Sequence, residues 1–182
     1  MNSLQDAWNW YTASRKMLRL VDRLGERYWD HLDWVGPMGR DERLEFESIQ
    51  LKDGAASALN PLDDLAVLVL FSVFELIVRD RVRSDIESEV QNLHHPTLLH
   101  AVEDVKDQID HGSFGRLLNS FKGVNANLVE EVSQVRRYRN WVAHGRKPEE
   151  RRDFVNPQMA YDRLGRFLGL INAPAPGTAD PF

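Results

Sequence analysis

Residues 139–144 read R-N-W-V-A-H, which puts an arginine, an asparagine and a histidine within about two turns of a helix. An arginine can clamp a phosphate bidentately and hold negative charge as it develops. A histidine titrates near neutrality and can serve as general base or acid. An asparagine can orient the imidazole or a phosphate oxygen. No nucleophilic Cys or Ser arrangement and no ligand cluster accompanies Arg139, Asn140 and His144. The set fits metal-independent cleavage of RNA, in which the substrate's own 2′-hydroxyl is deprotonated and attacks the neighbouring phosphorus. Only a proton shuttle and an anion stabiliser are then needed. The three residue types alone are a weak signal, because an Arg and a His five apart occur by chance in many helices.

The helix that must carry them has an unusual pattern. With Leu128 set at zero and about 100° per residue, Val132 falls near +40°, Val135 near −20°, Val142 near −40° and Arg139 near +20°. Arg139 is therefore expected inside the apolar stripe. Asn140, His144 and Arg136 share the adjoining flank, and Arg139 and His144 are separated by about 140° on a straight helix. They meet only if the Arg chain reaches round, if the last turn loosens, or if a second copy of the chain supplies half the site. Trp141 points away from the stripe, and packing against a neighbouring helix is preferred to stacking on a base or partner.

A second polar residue stands out at 75. The run LAVLVLFSVFELIV (65–78) is apolar on every side except Ser72 and Glu75. Such a helix is expected to be buried, where an unpaired carboxylate is costly. Glu75 is expected to meet Arg139 or the site that Arg139 and His144 form, with Arg79 one turn later as a competing partner. The bland alternative is an ion pair that only registers two helices.

Charge is distributed unevenly. The chain carries a net charge of −5, yet residues 136–152 hold seven Arg and Lys against two Glu. That patch suits an anionic partner, with Arg136, Arg146 and Lys147 as candidate phosphate contacts and Arg137 pointing outward. A solvated helix end is the competing explanation. The 182 residues contain no cysteine, so disulfides and thiolate chemistry are excluded. His94, His95 and His100 lack carboxylates at ligand spacing and are set aside as metal ligands. MNSLQDAWNW has neither a basic nor an apolar leader segment, and LAVLVLFSVF is too short to span a bilayer. The expectation is a soluble, cytoplasmic chain with no membrane contact.

The elements that position these residues read as helices throughout, forming one all-α domain over 1–172 with a disordered tail at 173–182. A helix is expected over about 3–33, loosened at Gly25. Residues 36–60 suit a short helix or a strand-like loop that ends at Gly54. Asn60-Pro61 is expected to open a long helix to about 90. His95-Pro96 opens another, with Leu98, Val102, Val105 and Ile109 on one face, ending near His111-Gly112. A short helix over 114–122 stops at Gly123. Asn127 with Glu130 resembles a capping box for the motif helix, which ends at Gly145. Asn156-Pro157 caps the last helix, holding Met159, Leu164, Phe167 and Ile171.

R-N-W-V-A-H, late in a helix and followed by Gly, resembles the R-x4-6-H signature of HEPN domains, in many of which Asn follows the Arg. The likeness covers roughly 60–172 in layout and 139–144 in motif. It implies a HEPN-like bundle of about five to six helices. It also implies a homodimer whose motif helices face each other, and an endoribonuclease without metal or cofactor that leaves 2′,3′-cyclic phosphate ends. Carried over by position, Arg139 and His144 are the catalytic pair, Asn140 the supporting residue, and Glu75 a loose match to the family's acidic position. The form is most similar to prokaryotic toxin–antitoxin and phage-defence groups, implying RNA as substrate and an antitoxin or regulatory protein as a further partner. Family members that bind without cutting imply the alternative, a non-catalytic RNA- or protein-binding module.

Overall fold

The computed structural model describes residues 2–28, 48–91, 93–146 and 154–172, and every element among them is helical. Helix α1 spans Leu4–Arg23. It starts where Ser3, in extended conformation, accepts the Asp6 backbone N–H on Oγ at 3.1 Å, an N-cap that satisfies one orphan donor. Leu4, Ala7 and Tyr11 form its buried stripe. At Gly25, as the sequence suggests, the helix loosens into a π-helical turn over Leu24–Tyr28.

Helix α2, Ser48–Val90, is the spine of the molecule at 43 residues. The sequence places its start at Asn60-Pro61; it begins instead at Ser48, and Pro61 lies inside it. The proline removes one backbone hydrogen bond, a local cost of about 3 kcal/mol. Packing offsets it, since Leu62 and Ala66 bury against Tyr11 of α1 just beyond the proline. Gly54 does not end an element either; it is an exposed position within α2. The rest of the 36–60 segment, residues 36–47, lies outside the described residues, as do 29–33 and the tail 173–182.

Helix α3, Pro96–His111, begins after His95 and ends at Gly112, as expected. Of the apolar face read from the sequence, only Ile109 is buried, while Leu98 is 50% and Val105 44% exposed. Helix α4 is Phe114–Ser120. Helix α5, Lys122–Ala143, carries the motif, and helix α6 is Pro157–Asn172. Gly123 is not a stop, because the chain turns at Phe121 and Gly123 already lies in α5. Asn156 caps α6 as expected, its Oδ1 accepting the Met159 N–H at 2.8 Å.

The core lies where α2, α5 and α6 meet. Leu70, Phe71, Phe74 and Val78 of α2 face Val129, Val132 and Val135 of α5 and Ala160, Leu164 and Phe167 of α6. Phe74 meets Phe114 of α4 edge-on at 5.9 Å and Phe167 at 5.5 Å, geometry that aromatic quadrupoles favour. The α2 segment 65–78 is not buried all round: Leu65 is 46% and Leu76 55% exposed, with exposed Ser72 between them on the same strip. No described helix is long and apolar enough to cross a membrane.

Candidate functional site

The site is built on the C-terminal half of α5. The working cap of that helix is Asn125, not Asn127. Asn125 has extended backbone angles (φ −155°, ψ 92°), and its Oδ1 accepts the Leu128 N–H at 3.0 Å. Glu130 is not the reciprocal half of a capping box, since it pairs with Arg137 Nη2 at 2.7 Å. The other end is a Schellman turn. Gly145 (φ +84°) donates to Val142 O at 3.1 Å, and Arg146 donates to Trp141 O at 2.9 Å. Gly145 supplies the left-handed backbone this turn needs, where a side chain would be strained.

Along α5 the buried positions are Leu128, Val129, Val132, Val135 and Tyr138. Arg139 has the angular position expected of it, but at the level of its guanidinium the core gives way to a cavity. Its side chain is 32% exposed. The guanidinium sits over the Phe71 ring at 5.6 Å, a cation–π contact. Nη1 donates to Asn140 Oδ1 at 3.0 Å. The asparagine thus holds Arg139 itself.

Glu75 is half-buried rather than buried, and its first partner is Arg79. Arg79 Nη2 and Nε donate to Oε1 at 2.7 Å and 3.2 Å, whereas Arg139 Nη2 stands 4.0 Å from Oε2. Arg79 is further committed to the carbonyls of Ile109 and Gly112 and lies over the Phe114 ring at 5.4 Å. It therefore ties α2 to the junction of α3 and α4. The sequence allows for Arg79 as a competitor but cannot show that these carbonyls converge on it.

Arg136 completes the cluster. Its guanidinium fits where Gly115 has no side chain: a Cβ there would lie 3.0 Å from Arg136 Cζ. Arg136 Nε is buried without a hydrogen-bond partner. Together Arg79, Arg136, Arg139 and Asn140 line a polar cavity of about 230 Å³ in which Glu75 is the lining carboxylate. Three guanidiniums around one carboxylate leave an excess of two positive charges. A cavity of this size suits a single phosphate or comparable anion, and arginine is the side chain best shaped to hold one.

His144 is not brought into that cavity within one chain. It is the exposed C-cap of α5, its N–H donating to Asn140 O at 3.0 Å. It continues the flank of Arg136 and Asn140 one turn further, beyond the cavity that those two residues line. The remaining basic residues divide. Arg146 pairs with Asp64, whose other oxygen accepts the Tyr138 hydroxyl at 2.6 Å. Arg146 is thereby a tie between the α5 turn and α2, and its φ of +58° is held by that partner. Lys147, Arg151 and Arg152 lie outside the described residues. Trp141 packs against the core beside Tyr138 at 5.6 Å, the preferred expectation for it. The Tyr138–Asp64 bond has no sequence signal, because a phenol and a carboxylate 74 residues apart meet only once the two helices are packed.

Among the described residues no group of three or more His, Asp or Glu side chains gathers in a metal-binding arrangement. Compared with known proteins, the chain gives no significant match to any family model, curated protein or solved structure.

Proposed function

We propose that this chain is a metal-independent endoribonuclease of the HEPN type, working as a homodimer. The observation that carries the reading is the arginine-lined cavity on the motif helix, with an imidazole exposed at the cap of the same helix. In this mechanism Arg139, oriented by Asn140 and assisted by Arg136, holds the non-bridging oxygens of the scissile phosphate. His144 of the partner subunit takes the proton from the ribose 2′-hydroxyl as the 2′-oxygen bonds to phosphorus. The bond from phosphorus to the 5′-oxygen breaks, and that oxygen takes up a proton from water. The products are a 2′,3′-cyclic phosphate and a 5′-hydroxyl. Glu75 keeps Arg79 and Arg139 apart rather than touching the substrate.

A second copy enters the reading because His144 lies one turn beyond the cavity lining and does not reach it within one chain. Its support is the strip of Leu65, Ser72 and Leu76 on α2, which presents apolar side chains to solvent beside Glu75. An exposed apolar strip on a helix suits association. A toxin or phage-defence role, restrained by a partner protein, is proposed on the family resemblance alone.

A second reading, a binding module that holds RNA without cutting it, is favoured by the position of His144 outside the cavity. Cleavage of a single-stranded RNA in EDTA separates the two. The nuclease reading expects cyclic-phosphate products from the intact chain and none from Arg139→Ala or His144→Ala. Undiminished cleavage by both variants would overturn it, and RNA binding without any cleavage by the intact chain would leave the binding module.

A further inference from the structure

A spacious groove lies away from the motif. It has a volume of about 800 Å³ and runs between the second half of α1 and the start of α6. Arg15, Lys16, Arg19 and Arg23 line it from α1, and Asp63 of α2 is the lining carboxylate. Asp63 is already engaged: it accepts the Tyr11 hydroxyl at 2.8 Å and has Arg15 Nη1 at 3.7 Å. Lys16, Arg19 and Arg23 are exposed and have no acidic partner among the described residues. On a chain of net charge −5, this is a concentrated positive surface that the one lining carboxylate, Asp63, offsets only in part.

The form of the groove narrows what it takes. Arg15, Arg19 and Arg23 are spaced four residues apart, so they stand in a row with about 6 Å between successive residues. A row of cations matches an anion that repeats, as phosphates do along an extended single strand, better than one compact anion. The groove is far larger than the cavity at Arg139, so it has room for bases as well as phosphates. Trp8 offers an aromatic edge within it, and the N-terminal end of α6, at Gln158, adds the positive end of a helix dipole.

The groove also leads somewhere. Asp63, Asn156 and Pro157 line both it and a neighbouring cavity of about 270 Å³, whose other walls include Tyr138, Trp141 and Arg146. That cavity abuts the turn on which His144 sits. We infer that the α1 groove is a track for single-stranded RNA, with Lys16, Arg19 and Arg23 gripping phosphates of the segment that flanks the cleavage point. The inference rests on the proposed function for the identity of the polymer, but its geometry is independent of Arg139.

The test is fluorescence anisotropy with a labelled, uncleavable 2′-O-methyl oligoribonucleotide, at several salt concentrations, on the full-length chain. Arg19→Glu with Arg23→Glu is expected to weaken binding at least about tenfold, and to lower the slope of log Kd against log salt by about 0.7 for each phosphate no longer gripped. Both side chains are exposed, and the thermal midpoint of the double variant is measured alongside, with binding compared well below it, so that a binding defect is separated from unfolding. Unchanged RNA affinity and salt slope in the double variant would overturn the track, even if the parent cleaves RNA. A groove-dependent affinity in a parent that never cleaves would keep the track and remove the nuclease. Sensitivity to the double variant only with an acidic peptide or anionic vesicles, and not with RNA, would also overturn it.

Discussion

Glu75 Oε1 receives Arg79 Nη2 at 2.7 Å, and it is the opposite carboxylate oxygen that faces Arg139, at 4.0 Å. This division gives the two arginines different duties. Arg79, only 16% exposed, also binds two backbone carbonyls at the end of α3. Arg79→Ala would strand those carbonyls and the Glu75 charge, and should destabilise the fold by about 3 kcal/mol. Arg139→Ala loses a longer, partly screened pair and should cost no more than about 1 kcal/mol. Urea unfolding followed by circular dichroism checks the ranking.

The link between Tyr138 and Asp64 is a second structural tie that does no chemistry. Tyr138→Phe deletes the 2.6 Å bond while Arg146 remains on the same carboxylate. The expected loss is about 1–2 kcal/mol, with RNA cleavage per folded molecule unaltered. Thermal melts together with an activity assay at low temperature measure both.

Alkaline pH should act through Tyr11. Burial of its phenol, reinforced by the bond to Asp63, raises its ionisation above the ordinary value near 10. The fold thus favours the protonated phenol. Its contribution is fully present below the unfolded value and is lost as pH rises through the higher folded value. Tyr11→Phe should be less stable than the parent by about 2 kcal/mol at pH 7, and that gap should shrink at strongly alkaline pH. Urea midpoints of both proteins from pH 7 upward test this.

Much of the fold is legible where local chemistry decides it. Asn156-Pro157, His95-Pro96 and Gly145 mark helix ends because capping depends on residues within a turn of each other. Pro61 misleads because its effect is overruled at a distance, by α1 packing against Leu62 and Ala66. Asn127 misleads for a subtler reason: two asparagines stand two residues apart, and only backbone geometry selects Asn125. At the motif, the wheel orients Arg139 correctly but cannot tell at what height along α5 the core ends. The basic stretch 136–152, one patch in sequence, resolves in its described part into two cavity arginines, a partner for Glu130 and a partner for Asp64. The row on α1 is visible in R-K-x-x-R-x-x-x-R (15–23), but the chain's net negative charge and the denser patch near the motif draw attention away from it.

The central claim is that Arg139 of one protomer and His144 of another act on the same phosphate. Mixing the Arg139→Ala and His144→Ala proteins, each expected to be inactive alone, under conditions that exchange subunits, tests it most directly. Two equivalent sites, each shared between chains, leave one intact centre in every mixed dimer, so cleavage in EDTA should return to about a quarter of the parent's activity. If exchange is demonstrated by mass and the mixture remains as inactive as its components, the shared site is contradicted.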